Sequence, residues 1–166
     1  MSAPKVLVQQ EGTAKPRLTP APDFAWALFG WLGIVFTAVG GLDLLLTWYP
    51  LHFGNPEWEF GTVSASLDGL PVTTLGLVML MGTGVARGQR WLVRTAAAAM
   101  VLLAVAILAA ALLYLTNVPI ALDAVTQPAI RTGLKKAIAK ATAQSILYPI
   151  AYVLIAVKAW RHSFTL

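Results

Sequence analysis

The stretch RTAAAAMVLLAVAILAAALLYLTNVPIALD, running from Arg94 to Asp123, holds 28 uncharged residues between its two terminal charges. A helix needs only about 20 apolar residues to cross a bilayer, and lipid satisfies no backbone polar group, so this stretch predicts a spanning helix. Three further apolar runs flank it, from Phe24 to Trp48, from Gly69 to Ala86 and from Ala141 to Val157. The first is too long for a signal-peptide core and is expected to remain as an anchor. The second is diluted by Pro71, Thr73, Thr74, Thr83 and several glycines, which suggests a broken helix backbone. In the fourth, Lys140 and Lys158 stand at the two margins, where their stems can lie in lipid and their ammonium groups outside it. Pro149 is a candidate bend.

The expected fold is all-α, an integral membrane four-helix bundle with both termini cytoplasmic. Residues 1–22 are expected to form a disordered cytoplasmic tail, carrying Pro16, Pro20 and Pro22 and no apolar pattern. Residues 23–166 are then one transmembrane domain, with spans at about 24–48, 63–86, 92–117 and 134–160. The composition agrees: 58% hydrophobic and 11% charged residues leave too little polar surface to cover a water-soluble globule.

Sidedness follows from the basic residues. With the amino terminus inside, Lys5, Lys15, Arg17, Arg87, Arg90, Arg94, Lys158 and Arg161 are cytoplasmic and only Arg131, Lys135, Lys136 and Lys140 are outside. Trp26, Trp31, Trp91 and Trp160 then fall at the inner interface, and Trp48, Tyr49, Trp58 and Tyr114 at the outer one. The net charge of +5 thereby reads as topology and attraction to membrane lipids, with no nucleic-acid partner.

Helices in lipid associate through small residues that let backbones approach. Gly33, Thr37 and Gly41 form such a seam on the first helix, with Gly76 as a partner on the second. Packing within the bundle is the simpler use of this seam, and self-association of two copies as a homo-oligomer is the alternative.

Polar chemistry gathers at the outer face. Asp43 lies about 28 Å along the first helix from Phe24, near the outer boundary of the hydrocarbon, and Asp68 begins the second span from the same side. Between them His52 to Gly61 reads as an acidic loop containing Glu57 and Glu59. Opposite, Pro128 suits the first turn of a helix running into the fourth span and carrying Arg131, Lys135, Lys136 and Lys140. Asp43, Glu57, Glu59, Asp68, Lys136, Lys140 and Gln144 are the candidate outer cluster. Its structural use is pairing of Asp43 or Asp68 with Lys136 or Lys140, and its functional use a polar cleft for an ion or a lipid headgroup.

Catalytic and cofactor chemistry find little footing. Cysteine is absent, which removes disulfides, thiolate metal sites and thiol nucleophiles. No catalytic or phosphate-binding motif is present, and neither His52 nor His162 falls inside a span where a haem ligand would sit. No enzyme activity, metal or cofactor is expected.

The region from Asp43 to Leu77 contains Trp48, Tyr49 and Pro50, then Asn55, Pro56, Glu57, Trp58 and Glu59, then Leu70, Pro71, Leu75, Gly76 and Leu77. In this hairpin the chain resembles small bacterial inner-membrane proteins of uncharacterised function, and it is also similar to the membrane part of cyanobacterial hormogonium polysaccharide secretion proteins. The resemblance implies an accessory protein of the bacterial inner membrane, working with a larger membrane-protein partner through a docking loop at Asn55, Pro56, Glu57 and Trp58. A small transporter or lipid-binding permease subunit using the outer cleft is the alternative.

Overall fold

The computed structural model describes residues 23–162, and within them the chain forms four antiparallel helices: α1 (Asp23–Thr47), α2 (Pro56–Ala86), α3 (Arg90–Ala124) and α4 (Pro128–His162). The tail expected at 1–22, with Lys5, Lys15 and Arg17, lies outside the described residues, as do 163–166. All four helices are long and apolar enough to cross a membrane. The architecture is therefore an all-helical, multi-pass membrane fold.

Three helices extend beyond the spans read from hydropathy. At the standard rise, the 31 residues of α2 measure about 46 Å and the 35 residues of α3 and of α4 about 52 Å, against a hydrocarbon layer of about 30 Å. α1, with 25 residues, is the shortest. One end of the molecule carries Arg87, Arg90, Arg94, Lys158 and Arg161 and is called the arginine end. The opposite, loop end holds the connections at 48–55 and 125–127.

α2 is the hub. It packs against α1, α3 and, more lightly, α4, whereas the backbone of α1 comes close to that of α2 alone among the described helices. The α1–α2 contact is backbone on backbone. A Cβ on Gly33 would lie 3.1 Å from the Gly76 carbonyl oxygen, and one on Gly76 would lie 2.9 Å from the Gly33 carbonyl oxygen and 2.5 Å from the Thr37 hydroxyl. Thr37 can sit in this crossing because its hydroxyl donates to the Gly33 carbonyl at 2.7 Å, inside its own helix. Gly40, not Gly41, continues the seam and faces Thr73, while Gly41 has open space beside it. The every-fourth-residue spacing drifts off the contact face because a helix turns 3.6 residues per turn, so the third contact falls at an interval of three.

Two features of α2 differ from the sequence expectation. The backbone is continuous through Pro71 instead of broken, with Thr74 donating its hydroxyl to the Leu70 carbonyl at 2.8 Å beside the proline. The helix also begins at Pro56, so Pro56 to Gly61 belongs to α2 and not to a loop. Asn55 is the N-cap and accepts from the amides of Glu57 at 3.1 Å and Trp58 at 3.3 Å. Proline at the first helical position and acids in the first turn complete a sequence signature for a helix start. At the arginine end the α2–α3 turn closes through Gly88, whose φ of 65° lies in the left-handed region open to glycine.

The core lies between α2, α3 and α4, where Val63, Val93, Met100, Tyr114 and Tyr152 are almost fully buried. Small residues again bring the helices together: Gly84 meets Val93 at the α2–α3 turn, and Ala96, Ala97 and Ala104 are buried along α3. Tyr152 of α4 shares a hydrogen bond with Thr74 of α2. α4 runs unbroken from Pro128 through Pro149.

Candidate functional site

The acidic residues expected to share one outer cluster divide into three settings. Glu59 is buried at the loop end, one turn into α2. Its Oε1 accepts from the Gly54 amide at 2.8 Å, and its Oε2 accepts from the Asn117 side chain of α3. Asn117 also donates to the Leu113 carbonyl of its own helix at 3.0 Å. A carboxylate held from both oxygens fastens the α1–α2 loop and α3 to α2. Beside it Phe60 stacks on Tyr114 with ring centroids 4.8 Å apart. The Tyr114 hydroxyl is buried without a hydrogen-bond partner among the described residues.

Asp68 and Lys140 form an ion pair at 2.6 Å, linking α2 to α4. Both side chains are more than half exposed, so the pair lies on the rim of the helix assembly. Measured from the arginine end, Asp68 lies 18 residues from Ala86 and Lys140 lies 18 residues from Lys158, about 27 Å along each axis. Both therefore stand near the far margin of the hydrocarbon. Asp43 of α1 reaches the same level and lays its carboxylate over Gly69, next to Asp68, but makes no ion pair among the described residues. Lys136 and Glu57 are exposed and Gln144 is half-buried, and among the described residues none of the three makes a side-chain hydrogen bond or ion pair with Asp68 or Glu59. Among the described residues no group of three or more metal-ligating side chains occurs.

The residues expected to form a docking loop are the cap and first turn of α2. Asn55 and Glu57 are exposed, while Trp58 turns inward and contacts Trp48, His52 and Phe53 edge to face, with centroids 5.7 to 6.0 Å apart. The Trp48 indole donates to the Ser66 hydroxyl at 3.0 Å, and Ser66 donates to the Thr62 carbonyl at 2.7 Å. This aromatic knot closes the top of the α1–α2 hairpin.

Below the knot lies a groove of about 350 Å³ between α1 and α3, with α2 as its floor. Leu44, Leu45 and Trp48 form one wall and Leu103, Ile107 and Ala110 the other, above Val63, Leu67 and Leu70. Small residues open both walls, Gly41 on α1 and Ala106 on α3. Hydropathy could not have found this groove, because it depends on α1 packing on α2 alone. Asn117 was also missed, although a single Asn inside a long apolar run is itself a signal of a polar partner, and Tyr114, expected in an interfacial aromatic belt, is instead buried against Phe60 because α2 covers that face of α3. No protein-family model, curated protein or solved structure matches the chain.

Proposed function

We propose that the chain is a structural or accessory subunit of a bacterial inner-membrane complex, one that receives a transmembrane helix of a larger partner in the groove between α1 and α3. The observation that carries this reading is the groove itself, an apolar slot floored by α2 and opened by Gly41 and Ala106. Large side chains of an incoming helix enter such a slot while the small residues admit its backbone, the mode by which helices associate in lipid. Both termini are cytoplasmic in this reading, since the arginine end then obeys the positive-inside bias. The partner's extramembrane part meets the loop end, where Asn55 and Glu57 are exposed. The chain itself performs no catalysis and needs no cofactor.

The transporter alternative draws on Asp43, Asp68 and Lys140 standing at one level. It is less well supported, because Asp68 and Lys140 neutralise each other and the buried carboxylate, Glu59, already has both oxygens engaged. A second copy of the chain in the groove is the homo-oligomer form of the same reading.

A photoreactive residue at Ala106, with another at the lipid-exposed Leu154 as control, tests the proposal in native membranes followed by gentle detergent extraction and mass spectrometry. One heavier adduct specific to position 106, together with a partner recovered in fixed ratio, is expected. A lone chain crosslinked to lipid at both positions would overturn the reading.

A further inference from the structure

A second hollow, of about 200 Å³, opens at the arginine end between the start of α1, the last turns of α2 and the start of α3. Its walls include Trp26 and Trp31 of α1 and Trp91 of α3, and its polar edge is formed by Arg87 and Gln89. Trp31 and Trp91 are exposed, so their rings face the surroundings of the helices. From this mouth the wall continues to Ile34, deeper along α1. A cationic donor at the rim, indoles at interface depth and an apolar wall beneath reproduce the order of parts in a phospholipid.

Charge selects the headgroup. At this end the described bases are Arg87, Arg90, Arg94, Lys158 and Arg161, and the one described acid is Asp23. Arg94 is engaged over the Trp160 ring, 5.8 Å from its centroid. Arg87, at the edge of the hollow, donates from Nη2 to the Asp23 carbonyl at 3.2 Å, its one side-chain hydrogen bond among the described residues, so other donors of its guanidinium fork can meet an anion. The first turn of α3 adds to the field, because its cap residue Gln89 makes no side-chain bond to the helix amides.

We propose that this hollow binds one anionic phospholipid, with its phosphate on Arg87, its glycerol region among the three indoles and an acyl chain along Ile34. The site lies in the other half of the membrane from the groove described above and does not depend on the identity of any partner. A zwitterionic lipid offers the same phosphate but brings its own cation into a region already rich in cations, so net negative charge is the discriminating property.

Native mass spectrometry of the purified full chain in detergent, titrated with phosphatidylglycerol and separately with phosphatidylcholine, reads the site directly. The expected result is one phosphatidylglycerol retained per chain at concentrations where phosphatidylcholine is lost. Arg87→Ala should weaken that retention by about ten-fold or more. Lys158→Ala, which removes an equal charge at the same end outside the hollow, should leave it unchanged. Because Arg87 also tethers α1, Ile34→Trp supplies a second variant that fills the apolar wall without touching any charge, and it should abolish retention with helix content intact by circular dichroism. Equal retention of the two lipids, an equal loss in Lys158→Ala, or full retention in Ile34→Trp would overturn the proposal. Displacement of phosphatidylglycerol by millimolar inorganic phosphate would assign the mouth to free phosphate and overturn it as well.

Discussion

Gly76 has space for a hydrogen and nothing larger, since the atoms a methyl group would strike include the Gly33 carbonyl on the facing backbone. Gly76→Ala should therefore push α1 off α2, at a cost of about 1–3 kcal/mol typical of overpacking, read as a lower melting temperature in detergent. Gly41→Ala is the control, because a Cβ there meets open space. At the loop end two buried polar residues should respond in opposite ways. Glu59→Ala leaves the Gly54 amide without an acceptor and the Asn117 side chain without its interhelical partner, with an expected loss of about 2 kcal/mol or more in unfolding measurements. Tyr114→Phe removes a hydroxyl that has no partner and keeps the ring stacked on Phe60, so it should leave stability unchanged or raise it by about 1 kcal/mol. The sequence disclosed that Glu59 was acidic and near the end of the bundle opposite the arginines. It could not disclose that a carboxylate in the first turns of α2 points inward, because that depends on which side of α2 the distant α3 occupies.

Among the elements, α4 meets α2 more lightly than it meets α3, through the Thr74–Tyr152 hydrogen bond and the one ionic link between Asp68 and Lys140. Exposed pairs of this kind contribute little, so a double-mutant cycle of Asp68→Asn and Lys140→Met should return a coupling below about 1 kcal/mol that shrinks as salt is raised. The helices themselves were largely legible from hydropathy, since uncharged runs of bilayer length admit few other conformations in lipid. Their ends were not. Hydropathy reports where lipid begins and is blind to helix that continues into water, which is why α2 was read as starting near 63 while its capping signal stands at Asn55. Proline content overstates the break for a related reason: Pro71 removes one amide from the helix ladder, and the rest of α2 continues through it, packed against α1 and α3.

For the whole molecule, sidedness is the claim that most readily meets experiment. The native chain has no cysteine, so single cysteines at Glu57 and Gln89 can be labelled from outside intact cells without background. Labelling at 57 and not at 89 is expected, and the reverse pattern would invert the orientation. The arrangement of contacts across the molecule was the least legible property, because nothing in four apolar runs says that α1 must lean on one neighbour instead of closing a ring. That arrangement has a kinetic corollary. The three principal interfaces, α1 with α2, α2 with α3 and α3 with α4, all join helices adjacent along the chain. Each newly inserted helix therefore meets its main partner already waiting beside it. The protein can zip together in the order in which it is synthesised, with no early segment left idle until a late one arrives.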